Sequence, residues 1–565
     1  MAAKRGGPAM RRSLPFSPAA LILAAAFVAP IVPSARAASC ESLAQLKFPD
    51  TTITAATSVA TPLSVRSGGG AANVTIPFCR VEGFLAPTTD SHIGFEVWLP
   101  RPDAWNHKFE GVGNGGFAGF LNYPALVPGL KRGYAVMTTD EGHVNIPTNP
   151  VEDVTWALDH PEKTIDYAYR AEHLATITAQ KIVEVYFGGK PTHSYYAGCS
   201  AGGIQGIVEE TRFPADYDGY IIGDASPDHL GQEVGAAWNV LAASLADPAN
   251  AIQAKQLPQI HDAVLKQCAG KDGGLATDRF LTDPRACEFD PTVLLCAAGQ
   301  EASTCLSVGQ VANLQKMYRG AHRPDTGEQV AAGLTPGSEL MWDRLYVGKS
   351  NPIGTERPWA GFFADIAYRD ADYLKAEKYL KFNFGSDLDA IRKNPLGTQT
   401  VGAVFGDRGA NLDPVRAEGA KVIQYHGWDD GNITPRDGVD YLAAVVKDQE
   451  QRRHLAHDAA LSETQTFYRL FMVQGMDHCT GGAGATNFGQ VGQSPMQIDP
   501  HHDTLSALEQ WVEHQVAPEY FIGSHVEKTG DVTMTRPICV YPQIPVYKGS
   551  GSTTDARNFS CDSKR

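Results

Sequence analysis

Two candidate catalytic residues each carry an adjacent cysteine: Ser200 in Ala197-Gly-Cys-Ser-Ala-Gly-Gly203, and His478 in Gly475-Met-Asp-His-Cys479. A serine hydroxyl beside an imidazole is the chemistry of nucleophilic acyl transfer. If Cys199 and Cys479 are bonded, their Cα atoms lie roughly 4.4–6.8 Å apart, and one sequence step adds about 3.8 Å at each end. Ser200 and His478 then lie within about 14 Å of each other, which suits a nucleophile and its base.

The serine side reads as a nucleophile elbow. Tyr195-Tyr-Ala is a short strand, Gly198-x-Ser200-x-Gly202 is a tight turn, and Ile204 opens a helical stretch. A bare motif of this kind is also an ordinary glycine-rich strand-to-helix turn. What makes it specific is the order of its partners along the chain, serine then acid then histidine. The acid belongs at a strand end between the other two, and Val422-Ile-Gln-Tyr-His-Gly-Trp-Asp-Asp430 is an apolar strand running into such a loop. Asp430 is the choice and Asp429 its rival, because sequence does not say which carboxylate turns inward. For the oxyanion hole, position assigns one N–H to Ala201, and the glycine-dense loop Gly111-Val-Gly-Asn-Gly-Gly-Phe-Ala-Gly119 offers the other from Gly115 or Gly116. No Lys-Ser/Thr follows this loop, so it is not a phosphate-cradling P-loop.

The paired Cys-Ser and His-Cys motifs, Arg212-Phe-Pro-Ala-Asp-Tyr-Asp-Gly219, Tyr425-His-Gly-Trp and Arg536-Pro-Ile-Cys-Val-Tyr-Pro542 together resemble the tannase and feruloyl esterase family, which includes mono(2-hydroxyethyl) terephthalate hydrolase. The resemblance runs from about Cys40 to Cys561. It implies an α/β-hydrolase core, a large inserted lid, hydrolysis of aromatic-acid esters and no catalytic cofactor. It also implies the disulfides Cys40–Cys79, Cys199–Cys479, Cys268–Cys287, Cys296–Cys305 and Cys539–Cys561. Related lids carry a structural calcium loop, and the matching stretch here runs from Cys268 to Cys287. Ala269 replaces the loop's first acid, and Asp272 and Asp278 remain as hard oxygen ligands for an ion that takes six to eight.

Stepping out to the elements that must hold these groups, strand-like runs at 92–99, 133–139, 194–197, 217–223, 421–425 and 467–473 alternate with helical stretches, the clearest at 164–185 and 504–515. That alternation is α/β organisation. Between 227 and 410 the pattern loosens, with four cysteines and the aromatic residues Trp342, Trp359, Phe362, Phe363, Tyr368 and Tyr373. A structureless loop of that length is implausible, so this is a lid domain inserted in a catalytic domain of 38–226 and 411–565. Most of its aromatic residues belong to a lid core, with one or two left to stack on an acyl ring.

Basic residues, an apolar run at 21–28 and Ala35-Arg-Ala37 read as a secretory signal over 1–37; Arg11-Arg12 leaves twin-arginine export open. The apolar run is short and broken by prolines, so a stable membrane anchor is not expected. Removing the signal takes five Lys/Arg and no Asp/Glu from 48 and 63, leaving 43 against 63 and a formal charge of −20 over 528 residues. Nucleic acid is an improbable partner for such a chain. All ten cysteines lie beyond the signal and no CxxC pair occurs, which favours an oxidised, secreted or periplasmic protein over a zinc site. The competing functions are a lipase-like or carbohydrate esterase on the same fold, and an inactive exported binding protein.

Overall fold

A computed structural model describes residues 38–117, 119–149, 151–347 and 358–563. The expected signal, 1–37, lies outside them. Nine strands form the central sheet: β1 (Thr51–Val59), β2 (Phe78–Leu85), β3 (Ile93–Pro100), β4 (Lys108–Val112), β5 (Ala135–Thr139), β6 (His193–Cys199), β7 (Gly219–Gly223), β8 (Lys421–Gly427) and β9 (Tyr468–Val473). Their spatial order is β1-β2-β3-β5-β4-β6-β7-β8-β9. The first three neighbour pairs are antiparallel and the rest parallel.

The parallel strands read as near-continuous apolar runs because helices cover both faces. Every residue of β5 and β7 is buried, as is all of β8 after Lys421. On one face, helix α2 (Ala171–Phe187) offers Ala171, Ala175, Ala179, Ile182 and Val183, a helical stripe, beside α3 (Ala201–Arg212). On the other, α1 (Tyr123–Lys131) offers Leu126 and Leu130, and the C-terminal helix Thr504–His514 offers Leu508 and Trp511. Asp503 caps that last helix by accepting from the Ser506 N–H at 3.0 Å.

Between β7 and β8 the chain is mostly helical, beginning with α4 (His229–Val240). Trp342, Phe362, Phe363 and Tyr373 are buried in its core, which extends to Phe117, Val154, Trp156 and Tyr167 from the chain before β6. All five disulfides pair as the family resemblance implied, with Cα separations of 5.6, 6.1, 5.3, 4.9 and 5.6 Å in chain order. Among the described residues no helix is long and apolar enough to cross a membrane.

The expected calcium ligands do not fit a cation. Asp272 already accepts from the backbone N–H groups of Gly270, Gly274 and Thr282. Asp278 pairs at 3.1 Å with Arg536, a buried guanidinium lying over the Phe559 ring. A positive charge from the chain therefore faces the acid that was to bind the metal. Chelation is expected to leave the unfolding midpoint unchanged, and a drop reversed by added calcium would contradict that. Asp278→Asn, which strands Arg536, is expected to cost about 3–5 kcal/mol in denaturant unfolding.

Candidate active site

Ser200, Asp430 and His478 follow the C-terminal ends of β6, β8 and β9, the edge of a parallel sheet where ligands bind in open α/β folds. Ser200 sits between β6 and α3 with φ 63° and ψ −129°, a conformation costly for a side-chain-bearing residue, on the order of 1–3 kcal/mol. Its neighbours hold it there. The Ser200 N–H donates to Gly223 O at 3.0 Å, and its own carbonyl accepts the Ile204 N–H of the new helix at 2.9 Å. Gly202 must lack a side chain, because a Cβ would lie 2.6 Å from Asn114 O. That carbonyl instead accepts the Gly202 N–H at 2.9 Å, tying the glycine-rich loop to the elbow.

His478 Nδ1 lies 2.7 Å from Asp430 Oδ2, and its Nε2 lies 2.7 Å from Ser200 Oγ. With Nδ1–H donated to the carboxylate, Nε2 is left as acceptor for the serine hydroxyl. Asp430 is fully buried, and its Oδ1 accepts the N–H groups of Asn432 at 2.7 Å and Ile433 at 3.1 Å. Burial alone would raise this carboxyl, but His478 and His426 hold it well below the ordinary range. For His478 burial opposes the charge, and Asp430 and Asp224 outweigh it, so its pKa is raised above 6.5. The rival Asp429 is also buried, but its N–H donates to Met476 O and its Oδ1 has no hydrogen-bonding partner among the described residues. Burial, with Asp477 and Glu339 adding to it, raises that carboxyl far above the usual range.

The N–H groups of Ala201, Gly115 and Gly116 have no acceptor among the described residues. All three residues line a cavity of about 530 Å³ together with Ser200 and His478. Gly116 is left-handed, φ 63°, and a Cβ there would meet Val151 O at 2.6 Å. Of the aromatic residues expected to be available for substrate, none whose side chain is described lines this cavity. Phe117 and Tyr346 do.

Two residues that sequence reasoning missed join the network. Asp224, directly after β7, accepts the N–H groups of Gly427 at 2.7 Å and Cys479 at 2.8 Å. His426 lies between carboxylates, its Nε2 3.6 Å from Asp224 and 3.4 Å from Asp430. Burial disfavours its cation, yet the two acids push its pKa up to about 9. His426 was visible within the Tyr-His-Gly-Trp motif. Asp224 carried only a weak signal, an acid at a strand end.

A sheet of this strand order, with strand-end residues so arranged, is the α/β-hydrolase fold. A family model described as tannase and feruloyl esterase matches residues 79–562, and the chain belongs to that family, a family of carboxylic ester hydrolases. It is 36% identical over 553 residues to an uncharacterised esterase of Xanthomonas campestris pv. campestris, covering 96% of this chain and 94% of that one. It is 29% identical to feruloyl esterase B of Aspergillus niger, covering 86% and 87%. The crystal structure of feruloyl esterase B from Aspergillus oryzae superposes with a TM-score of 0.81 at 25% identity, covering 93% of this chain and 99% of that one.

The Cys199–Cys479 bond is continuous with both Ser200 and His478, so its loss should loosen their separation. A Cys199→Ala/Cys479→Ala double variant, assayed well below its own unfolding transition, is expected to lose ester-hydrolysis kcat/KM by roughly a hundredfold, the cost of about 1 Å of misplacement. If the folded double variant keeps wild-type kcat/KM, the bond contributes only stability, typically about 2–4 kcal/mol.

Proposed function

We propose that the protein is an exported serine esterase that hydrolyses esters of aromatic acids, of hydroxycinnamic, gallic or terephthalic type, through an acyl-enzyme. The observation that carries this reading is the unbroken hydrogen-bonded chain from Ser200 through His478 to Asp430 at the cavity wall. His478 Nε2 takes the Ser200 proton as Oγ bonds to the ester carbonyl carbon. The oxyanion that forms is held by the N–H of Ala201 with that of Gly115 or Gly116. On collapse, the alcohol leaves with the proton from His478. Water then attacks the acyl-Ser200 ester, giving up a proton to His478, and the acid departs as Oγ is reprotonated. No electrons change hands, so the cycle calls for no redox cofactor.

Export is supported by five disulfides and by the signal-like residues 1–37. The segment 227–410 acts as the lid and 38–226 with 411–565 as the catalytic domain, since α4 and Tyr346 contribute one wall of the cavity and the strand ends contribute the other. Feruloyl esterase names among the relatives favour an aromatic acyl group over a lipid one.

Ser200→Ala is expected to abolish burst-phase acylation while leaving the fold intact by circular dichroism, and undiminished turnover in that variant would defeat the assignment. The acid limb of kcat/KM is expected above pH 6.5, because His478 must be neutral to act as base and its pKa is raised. Asp430→Asn removes the charge that raises it. The limb should then move to lower pH as kcat falls by up to about 10⁴-fold. A limb that stays in place in that variant would remove Asp430 from the role.

A further inference from the structure

Glu152 and Glu233 line the Ser200 cavity, and the steps above use neither. Glu233 is only 3% exposed and hydrogen-bonds to nothing among the described residues; His229 Nε2 lies 3.7 Å from its carboxylate. It reaches the cavity by helix geometry. His229, Gln232, Glu233 and Ala236 of α4 all line it, the i, i+3, i+4, i+7 face of one helix. Glu152 comes from a different segment, next to Val151, whose carbonyl accepts the Phe117 N–H at 2.8 Å. Its Oε2 is enclosed and has no hydrogen-bond partner among the described residues.

We propose that Glu152 and Glu233 form a carboxyl pair that reads phenolic hydroxyl groups on the acyl ring of the substrate. The inference rests on the esterase reading above and narrows it. A buried acceptor without a donor is costly to leave unsatisfied, so an occupant of this cavity gains by bringing one. A phenol supplies a strong donor at the edge of a flat apolar ring. The cavity offers the matching arrangement, with the Phe117 ring stacked on His229 at 5.7 Å beside Glu233. Phe117 also fixes which half of the ester is read. It directly follows Gly115 and Gly116, where the acyl carbonyl oxygen is to be held, so the acyl ring lies along it.

The ionisation of Glu152 agrees with this geometry. Burial, with Glu233 adding to it and His478 opposing it, pushes Glu152 up to about 7. Near neutrality Glu152 can therefore either accept from a phenolic hydroxyl or, protonated, donate to a hydroxyl or methoxy oxygen. A terephthaloyl ring would instead bring a third carboxylate towards two acids. Arg344, the cation on the cavity wall, is exposed to solvent, and part of its charge acts on Asp477.

The test is a series of methyl esters sharing one alcohol: cinnamate, 4-hydroxycinnamate, 4-methoxycinnamate and monomethyl terephthalate. For wild type, kcat/KM on the 4-hydroxy ester is expected to exceed that on the unsubstituted and terephthaloyl esters by about ten- to a hundredfold, the range of a hydrogen bond to a charged group. Glu233→Gln and Glu152→Gln are each expected to cut the hydroxy-to-unsubstituted ratio at least fivefold. A ratio is the right readout because partial misfolding scales both rates alike. Two results overturn the pair: wild-type ratios retained in both variants, or a hydroxyl preference that follows the alcohol when the acyl group is held as cinnamoyl. Failure of wild type to hydrolyse any of these esters, with no labelling of Ser200 by a fluorophosphonate, would overturn the esterase reading itself.

Discussion

The two oxygens of the Asp224 carboxylate are each claimed from a different strand end, Gly427 closing β8 and Cys479 beyond β9, while Asp224 itself directly follows β7. Its own N–H donates to Tyr425 O at 2.9 Å. This fully buried side chain fixes where three neighbouring strands stop, and the positions of Asp430 and His478 are counted from those stops. Burial raises its pKa to about 6 even with His426 and His478 nearby, so holding the site together carries an electrostatic cost. The disulfide at Cys199 adds a fourth strand end, β6, to the same knot.

The sheet strands with the longest apolar runs were legible because a strand covered on both faces cannot hide its composition. The runs at 92–99, 194–197, 421–425 and 467–473 correspond to β3, β6, β8 and β9. β1, β2 and β4 were not read. β1 alternates between partly buried and exposed residues and contains Thr-Ala-Ala-Thr, which is weakly apolar, and β4 is five residues long beginning with Lys108. At the site, sequence brought Ser200 and His478 together through their cysteines and favoured Asp430, but left the adjacent Asp429 as its rival. The distinction lies in the turn after β8, where the N–H groups of Asn432 and Ile433 draw Asp430 towards His478 while Asp429 points elsewhere. Asp272 and Asp278 show the converse limit. Their spacing resembles a ligand loop, and what decides against it is Arg536, 258 positions away.

His426 stands between Asp224 and Asp430, and its Nε2 donates to Ile433 O at 3.0 Å. A cation there lets two buried carboxylates stay close, at the cost of competing with His478 for Asp430. The shorter contact belongs to His478, 2.7 Å against 3.4 Å, so Asp430 orients His478 first. His426 then acts mainly on Asp224, the residue that sets the strand ends.

The inserted segment cannot be treated as a cover laid over a finished site. Phe117, immediately after Gly115 and Gly116, is buried with Phe362 of the insertion at a ring separation of 6.2 Å. Tyr167, which leads into α2, donates from its hydroxyl to Gly116 O at 3.1 Å and packs against Phe405 of the same insertion. Protein interiors are packed tightly enough to transmit small displacements. A change in the insertion's core therefore reaches the backbone of Gly116 through two aromatic contacts and one hydrogen bond. The cavity wall that α4 contributes belongs to the same packed unit, since His229 on that face stacks on Phe117 and packs against Phe362 and Phe405.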